Sequence, residues 1–106
     1  TRRTVLPETT EEQRAAALAR AAEARRTRAE IKELLKTGSL TLPEVFERAD
    51  EDPLVAGTKA HAIILAMPGM GKIATKRLME DIGIHENRTL KGLGPRQREA
   101  LLAHFS

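Results

Sequence analysis

From Thr9 to Gly38 the chain reads TTEEQRAAALARAAEARRTRAEIKELLKTG, with no proline and no glycine before the last position. Thr9 with Glu12, or Thr10 with Gln13, can form a capping box at its start, and Gly38 supplies a stop. These signals predict one helix to about Lys36, roughly 26 residues and about 39 Å long. Its first half has high helix propensity but offers only alanines and Leu18 for burial, whereas Ile31, Leu34 and Leu35 can dock on a core. The expectation is a helix anchored at its C-terminal end, with its N-terminal part projecting or lightly packed. Before it, TRRTVLPE reads as a flexible basic arm over residues 1–8.

Helical signals continue downstream, and strand signals are almost absent. TLPE pairs Thr41 with Glu44 in another capping box and predicts a second helix to about Glu51, with Leu42, Val45, Phe46 and Ala49 on one face. A third helix covers TKAHAIILAM, turning inward either Ala62, Leu65 and Ala66 or Ile63 and Met67, and Pro68 ends it. A fourth runs from Lys72 to Gly83, with Ala74, Leu78 and Ile82 on the buried row. A fifth begins near Pro95, with proline at its first position and Gly94 just before it. At 106 residues the chain suits one domain with a small core. The fold class expected is all-α, a long N-terminal helix over residues 9–37 packed on a small helical domain, all within a single unit over 9–106.

Charge is unevenly distributed. Residues 1–36 carry nine basic and six acidic side chains, residues 39–56 one and five, and residues 57–106 eight and four. Two basic segments thus flank an acidic middle, which suggests two separate anion-binding faces. With a pI of about 9.7, nucleic acid is the leading polyanion; a solvated helical surface is the alternative. Phe46 and Phe105 are the only aromatics, so stacking of bases on rings is not a recognition mode here, which argues against single-stranded nucleic acid. The lack of cysteine excludes disulfides, thiolate zinc sites and a cysteine nucleophile. No apolar run approaches the roughly 18 residues that span a bilayer, so a soluble cytoplasmic chain without a membrane partner is expected.

The stretch LAMPGMGKIATKRLMEDIGI, from Leu65 to Ile84, places Pro68-Gly69-Met70-Gly71 between an apolar helix and a basic one. Two glycines permit a tight hairpin that approaches a ligand without Cβ interference, and the hairpin opens into a helix N-terminus with unpaired N–H groups. Such an end holds phosphate. Lys72 stands at the helix start, with Lys76 and Arg77 one turn further on. An ordinary Pro-Gly connection between packed helices is the alternative.

This arrangement resembles the helix-hairpin-helix family of DNA-binding motifs. The resemblance implies that Gly69 and Gly71 present main-chain N–H groups to one phosphate, that Lys72 and Lys76 reach the same backbone, and that Met70 plugs the hairpin from inside. From about Thr58, with LKGLGPRQREALL behind the hairpin, the chain resembles the helix-two-turn-helix variant of ribosomal protein S13, so residues 58–106 are the expected helix-two-turn-helix region. Together with ARRTRAEIK on the long helix, nearly the whole chain resembles the actinobacterial, or mycobacterial-type, integration host factor family. That family implies a nucleoid-associated protein that binds double-stranded DNA with little sequence preference and bends it. It further implies a role in chromosome organisation and, for some members, in phage integration, with Arg25, Arg26 and Arg28 as a second DNA site. Arg25 and Arg28 share a helix face with Lys32, while Arg26 points about 100° away. Arg88, Arg96 and Arg98 complete the candidate DNA-binding residues beside the hairpin.

No catalytic role is expected. His61, His85 and His104 are far apart and lack metal or triad spacing, and GMGK lacks the spacing of a nucleotide phosphate loop. No cofactor, no metal and no small-molecule substrate are expected, and the chain is expected to be a monomer in the absence of DNA. Two other readings remain at this point: an S13-like RNA-binding protein and a helical protein-interaction adaptor.

Overall fold

The computed structural model describes residues 10–105, so the basic arm expected over residues 1–8 lies outside the described residues. Helix α1 spans Glu11–Lys36, α2 Leu42–Glu51, α3 Pro53–Ala56, α4 Ala60–Ala66, α5 Lys72–Ile82 and α6 Pro95–His104. A short 3-10 turn at Leu90–Gly92 precedes α6. No strand occurs among the described residues. A single antiparallel bridge joins Lys59 to Thr89.

The helix starts follow from local chemistry. Thr10 Oγ1 accepts the Gln13 N–H and Gln13 Oε1 accepts the Thr10 N–H, each at 3.0 Å, which resolves the two capping boxes possible at this end in favour of Thr10. At α2 the Glu44 carboxylate accepts the Thr41 N–H at 2.8 Å and its hydroxyl at 3.0 Å. The backbone hydrogen bond from Thr41, and then that from its hydroxyl, lower the Glu44 pKa below the usual 4.5. The stability this adds is complete above that value and fades as pH falls through the lowered pKa.

Anchoring of α1 is asymmetric, as its sequence requires. Ile31 and Leu35 are fully buried against α3 and α4, while residues 11–21 are exposed and Leu18 keeps 66% of its surface. The extents of 60 × 27 × 25 Å record the projecting half of this helix. The core completes itself with Leu42, Val45 and Phe46 of α2, Val55 of α3 and Ile63 and Ile64 of α4. On α4 the buried set is Ala60, Ile63, Ile64 and Ala66, so neither expected row turns inward as a whole: Ile63 and Ala66 are buried, whereas Ala62, Leu65 and Met67 are half-buried.

Two features depart from the sequence expectations. Helix α3 was not foreseen; Asp52 Oδ1 accepts the Leu54 N–H at 3.0 Å, and Pro53 takes the first helical position. On α5 the buried row is Thr75 and Met79, with Leu78 and Ile82 half-buried and Ala74 exposed. The expected row of Ala74, Leu78 and Ile82 is corrected by area: turning Met79 inward keeps Leu78 and Ile82 half-buried on one side of the face, and costs only the methyl of Ala74.

The second turn of the motif is closed on the first helix. Ala60 N–H donates to the Arg88 carbonyl and Leu90 N–H to the Thr58 carbonyl, each at 2.9 Å, and this pins the chain after α5 against the start of α4. Gly83 ends α5 with φ of 88°, the left-handed conformation that favours glycine.

Leu35→Ala should therefore cost about 2–5 kcal/mol by opening a cavity under α1. Leu18→Ala should stay within about 0.5 kcal/mol. Denaturant unfolding of the two variants checks this contrast, and equal losses would contradict the asymmetric anchoring.

Candidate functional site

Between α4 and α5 the chain makes a turn of type II. The Met70 N–H donates to the Met67 carbonyl at 3.1 Å, Pro68 takes the second position, and Gly69 takes the third with φ of 81°. Met70 is partly buried on the core, in the direction its family resemblance implies. The glycines thus have separate duties. Gly69 is required by backbone conformation, since a Cβ there would meet no atom within 4 Å yet the positive φ would strain it. Gly71 has an ordinary φ of −109°, and a Cβ on it would also meet nothing within 4 Å. Nothing inside the fold calls for glycine at 71.

Gly71 is the N-cap of α5 and has no side chain to cap it. The first hydrogen bond of the helix runs from the Thr75 N–H to the Gly71 carbonyl at 2.9 Å, which leaves the N–H groups of Lys72, Ile73 and Ala74 without intrahelical acceptors. No acidic residue occupies this first turn. Lys72 and Lys76 lie one turn apart and exposed, and Ile73 keeps 75% of its surface. The result is a positive helix end with open backbone donors, the physical form of an oxyanion site. Arg77 is exposed on the same helix, about 100° around from Lys76.

The arginine cluster of α1 divides. At about 100° per residue, Arg14, Leu18, Arg25, Lys32 and Lys36 fall within a sector of about 40° on the helix surface, with Arg28 beside it. Glu12, Glu23 and Glu30 gather on the other flank, with Glu33 between them and Lys36. Arg26 belongs to that acidic flank, three residues after Glu23 and four before Glu30. Arg25 and Arg26 are exposed and Arg28 is half-buried. Lys32 and Lys36 extend the basic flank toward the core, an extension readable from charge periodicity along the whole helix rather than from the arginines alone.

Farther along the chain the basic residues are engaged in the fold. Arg98 stacks its guanidinium over Phe46, 4.5 Å from the ring centroid, and reaches Asp50 at 3.5 Å. That is the single ion pair among the described residues, and it ties α6 to the acidic α2. Arg88 Nη1 donates to the Gly92 carbonyl at 3.3 Å, and its Cδ lies 2.9 Å from where a Gly92 Cβ would stand. Arg88 therefore lies across a glycine that the contact requires. Arg96 is exposed beside Gln97, whose Nε2 donates to the Gly83 carbonyl at 2.9 Å, placing Arg96 near the end of α5 opposite Gly71. Gly69, Gly71, Lys72 and Lys76 lie together at the hairpin and the start of α5, Arg25 and Arg28 lie on one side of α1, and Arg88 and Arg98 are held by Gly92 and by Phe46 with Asp50.

His61 and His85 line one cleft, and His104 stands apart on α6. His61 is half-buried on α4, His85 Nδ1 accepts the Asn87 N–H at 3.1 Å, and His104 meets Phe105 edge-on at 4.8 Å. Among the described residues no group of three or more His, Asp or Glu side chains is placed to hold a metal ion. No helix among them is long and apolar enough to cross a membrane.

Residues 35–105 match the family model of the S13-like H2TH domain. The chain is 46% identical over 100 residues to a protein named integration host factor from Mycobacterium tuberculosis, covering 94% of this chain and 95% of that one. A Streptomyces coelicolor protein of the same name is 44% identical over 100 residues, with 94% of each chain covered. A solved structure described as sIHF bound to an 8-bp palindromic DNA superposes with a TM-score of 0.80 at 39% identity, over 83% of this chain and 99% of that one.

The unequal glycines can be separated by one substitution at each. Gly71→Ser should raise stability by a few tenths of a kcal/mol, because a hydroxyl then caps α5. Gly69→Ser should lower it by about 1–2 kcal/mol, because an L-residue is forced to positive φ. Thermal unfolding of both variants reads the signs, and a loss at Gly71 equal to that at Gly69 would contradict the division.

Proposed function

The chain belongs to the S13-like H2TH domain family, alongside relatives named integration host factor, and on that footing we propose that it is a nucleoid-associated architectural protein of the cytoplasm that binds and bends double-stranded DNA. The observation that carries this reading is the α5 N-terminus. Gly71 leaves it uncapped where the fold does not require glycine, and Lys72 and Lys76 stand beside its open N–H groups. Likeness to a DNA-bound solved structure supports duplex DNA over an S13-like RNA or a protein partner as the ligand.

Each part of the site acts on phosphate. Main-chain N–H groups at a helix end position a duplex backbone without reading its bases, so binding has little sequence preference. Lysines at Lys72 and Lys76 neutralise charge and release counterions. Arg25 and Arg28, with Lys32 and Lys36, form the second grip along α1. Holding DNA at two places on a rigid body bends it, and the added phosphate contacts offset the deformation energy. Chromosome organisation and phage site-specific integration are the processes such bending serves. The activity is non-catalytic and needs no cofactor.

Arg98, Arg88 and Arg96 take smaller parts than their charge suggests, because the first two are held by Phe46, Asp50 and Gly92 and the third stands at the far end of α5.

Lys72→Ala with Lys76→Ala should weaken binding to duplexes of different sequence about equally and lower the salt slope by about 0.9 per lost contact. Fluorescence anisotropy at several salt concentrations, with duplex DNA and duplex RNA in parallel, checks this; tighter binding to RNA would overturn the DNA reading. On α1, Arg25→Ala with Arg28→Ala should reduce bending in an energy-transfer assay more than Arg26→Ala does. Equal losses would place Arg26 in the interface despite its acidic flank.

A further inference from the structure

Of the clefts that meet at His61, the second residue of α4, two carry a pair of lysines. One, of about 410 Å³, lies between α1 and α4 and has Lys32 and Lys36 among its lining residues. The other, of about 600 Å³, lies between α4 and α5 and has Lys72 and Lys76 among its lining residues. His61 lines both. The basic flank of α1 thus ends in one cleft and the lysines of the hairpin helix in the other, with an imidazole at the joint.

We propose that His61 is a further phosphate contact, which joins the two basic sites into one track for a DNA backbone and takes up a proton as the duplex binds. This rests on the duplex-binding function proposed above. His61 is faced from α1 by Lys32, Glu33 and Lys36, and from α5 by Lys72, Lys76 and Glu80. Beyond α5 it is faced by His85 and Glu86, and beside it stands Lys59, whose Nζ donates to Asn87 Oδ1 at 3.3 Å. In the free protein Glu33, Glu80 and Glu86 temper the lysines. A phosphate entering the joint adds negative charge next to an imidazole, and this favours the imidazolium.

His85 is the competing imidazole in the second cleft. Its Nδ1 already accepts the Asn87 N–H at 3.1 Å, an interaction open only to an unprotonated nitrogen. The His61 ring makes no hydrogen bond or ion pair among the described residues. Both of its nitrogens can therefore become donors without breaking a contact of the fold, which is the property that a charge-switching phosphate ligand requires.

The experiment is a salt titration of the affinity for a mixed-sequence DNA duplex at about pH 6 and about pH 8, on the parent, His61→Gln, His61→Lys and His85→Gln proteins. The parent should show a steeper salt dependence at the lower pH, and His61→Gln should cut that increment by about 0.9. His61→Lys, charged throughout, should be steep at both. Calorimetry of the parent in two buffers of different ionisation heat should show proton uptake on binding near about pH 7, a readout independent of any variant's folding. Equal increments in the parent and His61→Gln, loss of the pH response in His85→Gln instead, or absence of proton uptake would each overturn the role of His61 while leaving duplex binding intact. A parent that binds no duplex at either pH would overturn the proposed function with it.

Discussion

Burial of Ile31 and Leu35 under α1 is the contact on which the rest of the architecture depends. The helix has one half rich in leucine and isoleucine and one half rich in alanine, so only its C-terminal half can displace enough water to dock. That fixes the helix by one end and leaves the other extended from the body. It also fixes rotation. With Ile31 and Leu35 inward, Lys32 and Lys36 border the cleft beside α4, and Arg25 and Arg28 continue the same flank outward. Glu33 borders the same cleft, and Glu23 and Glu30 lie farther round the helix.

The hairpin contributes a different kind of charge. Lysines on a helix surface are mobile and strongly hydrated, whereas main-chain N–H groups at α5 are fixed by the turn at Pro68 and Gly69 and by the seating of Met70 and Met79. Their direction is settled before any ligand arrives. An alanine-rich lever with basic charge and a rigid hairpin with backbone donors, held on one small body, match what DNA bending asks of a protein of this size. The acidic α2 has a complementary place. Asp50 draws Arg98 toward Phe46, so the fold uses that cation to tie α6 to α2, while those of α1 and α5 make no ion pair among the described residues.

Much of this was legible in the sequence because it is local. Thr10 with Gln13, Thr41 with Glu44, Pro68 and Pro95 mark helix ends through contacts within a few residues, and all four stand where their chemistry predicts. The all-helical class followed from the same signals. What was not legible depends on contacts distant in sequence. Helix α3 is too short to show a period, and the chain around it is secured by the hydrogen bond between Leu90 and Thr58. The inward row of α5 shifted because burial of Met79 outweighed that of Ala74. Gly69 and Gly71 looked equivalent as letters, and only the sign of φ separates a glycine needed by the turn from one the fold can spare. Arg98 looked like its neighbours until Phe46 and Asp50 were brought to it, and no spacing rule would have made His61 the residue common to two clefts.

The central claim is that backbone amides at the start of α5 hold DNA phosphate. Titrating isotope-labelled protein with a short duplex and following amide resonances by nuclear magnetic resonance tests it residue by residue. Large, saturable shifts at the amides of Lys72, Ile73 and Ala74, with a second set along Arg25 to Lys36, are the result predicted. Duplex binding accompanied by shifts that leave Lys72, Ile73 and Ala74 unmoved would contradict it.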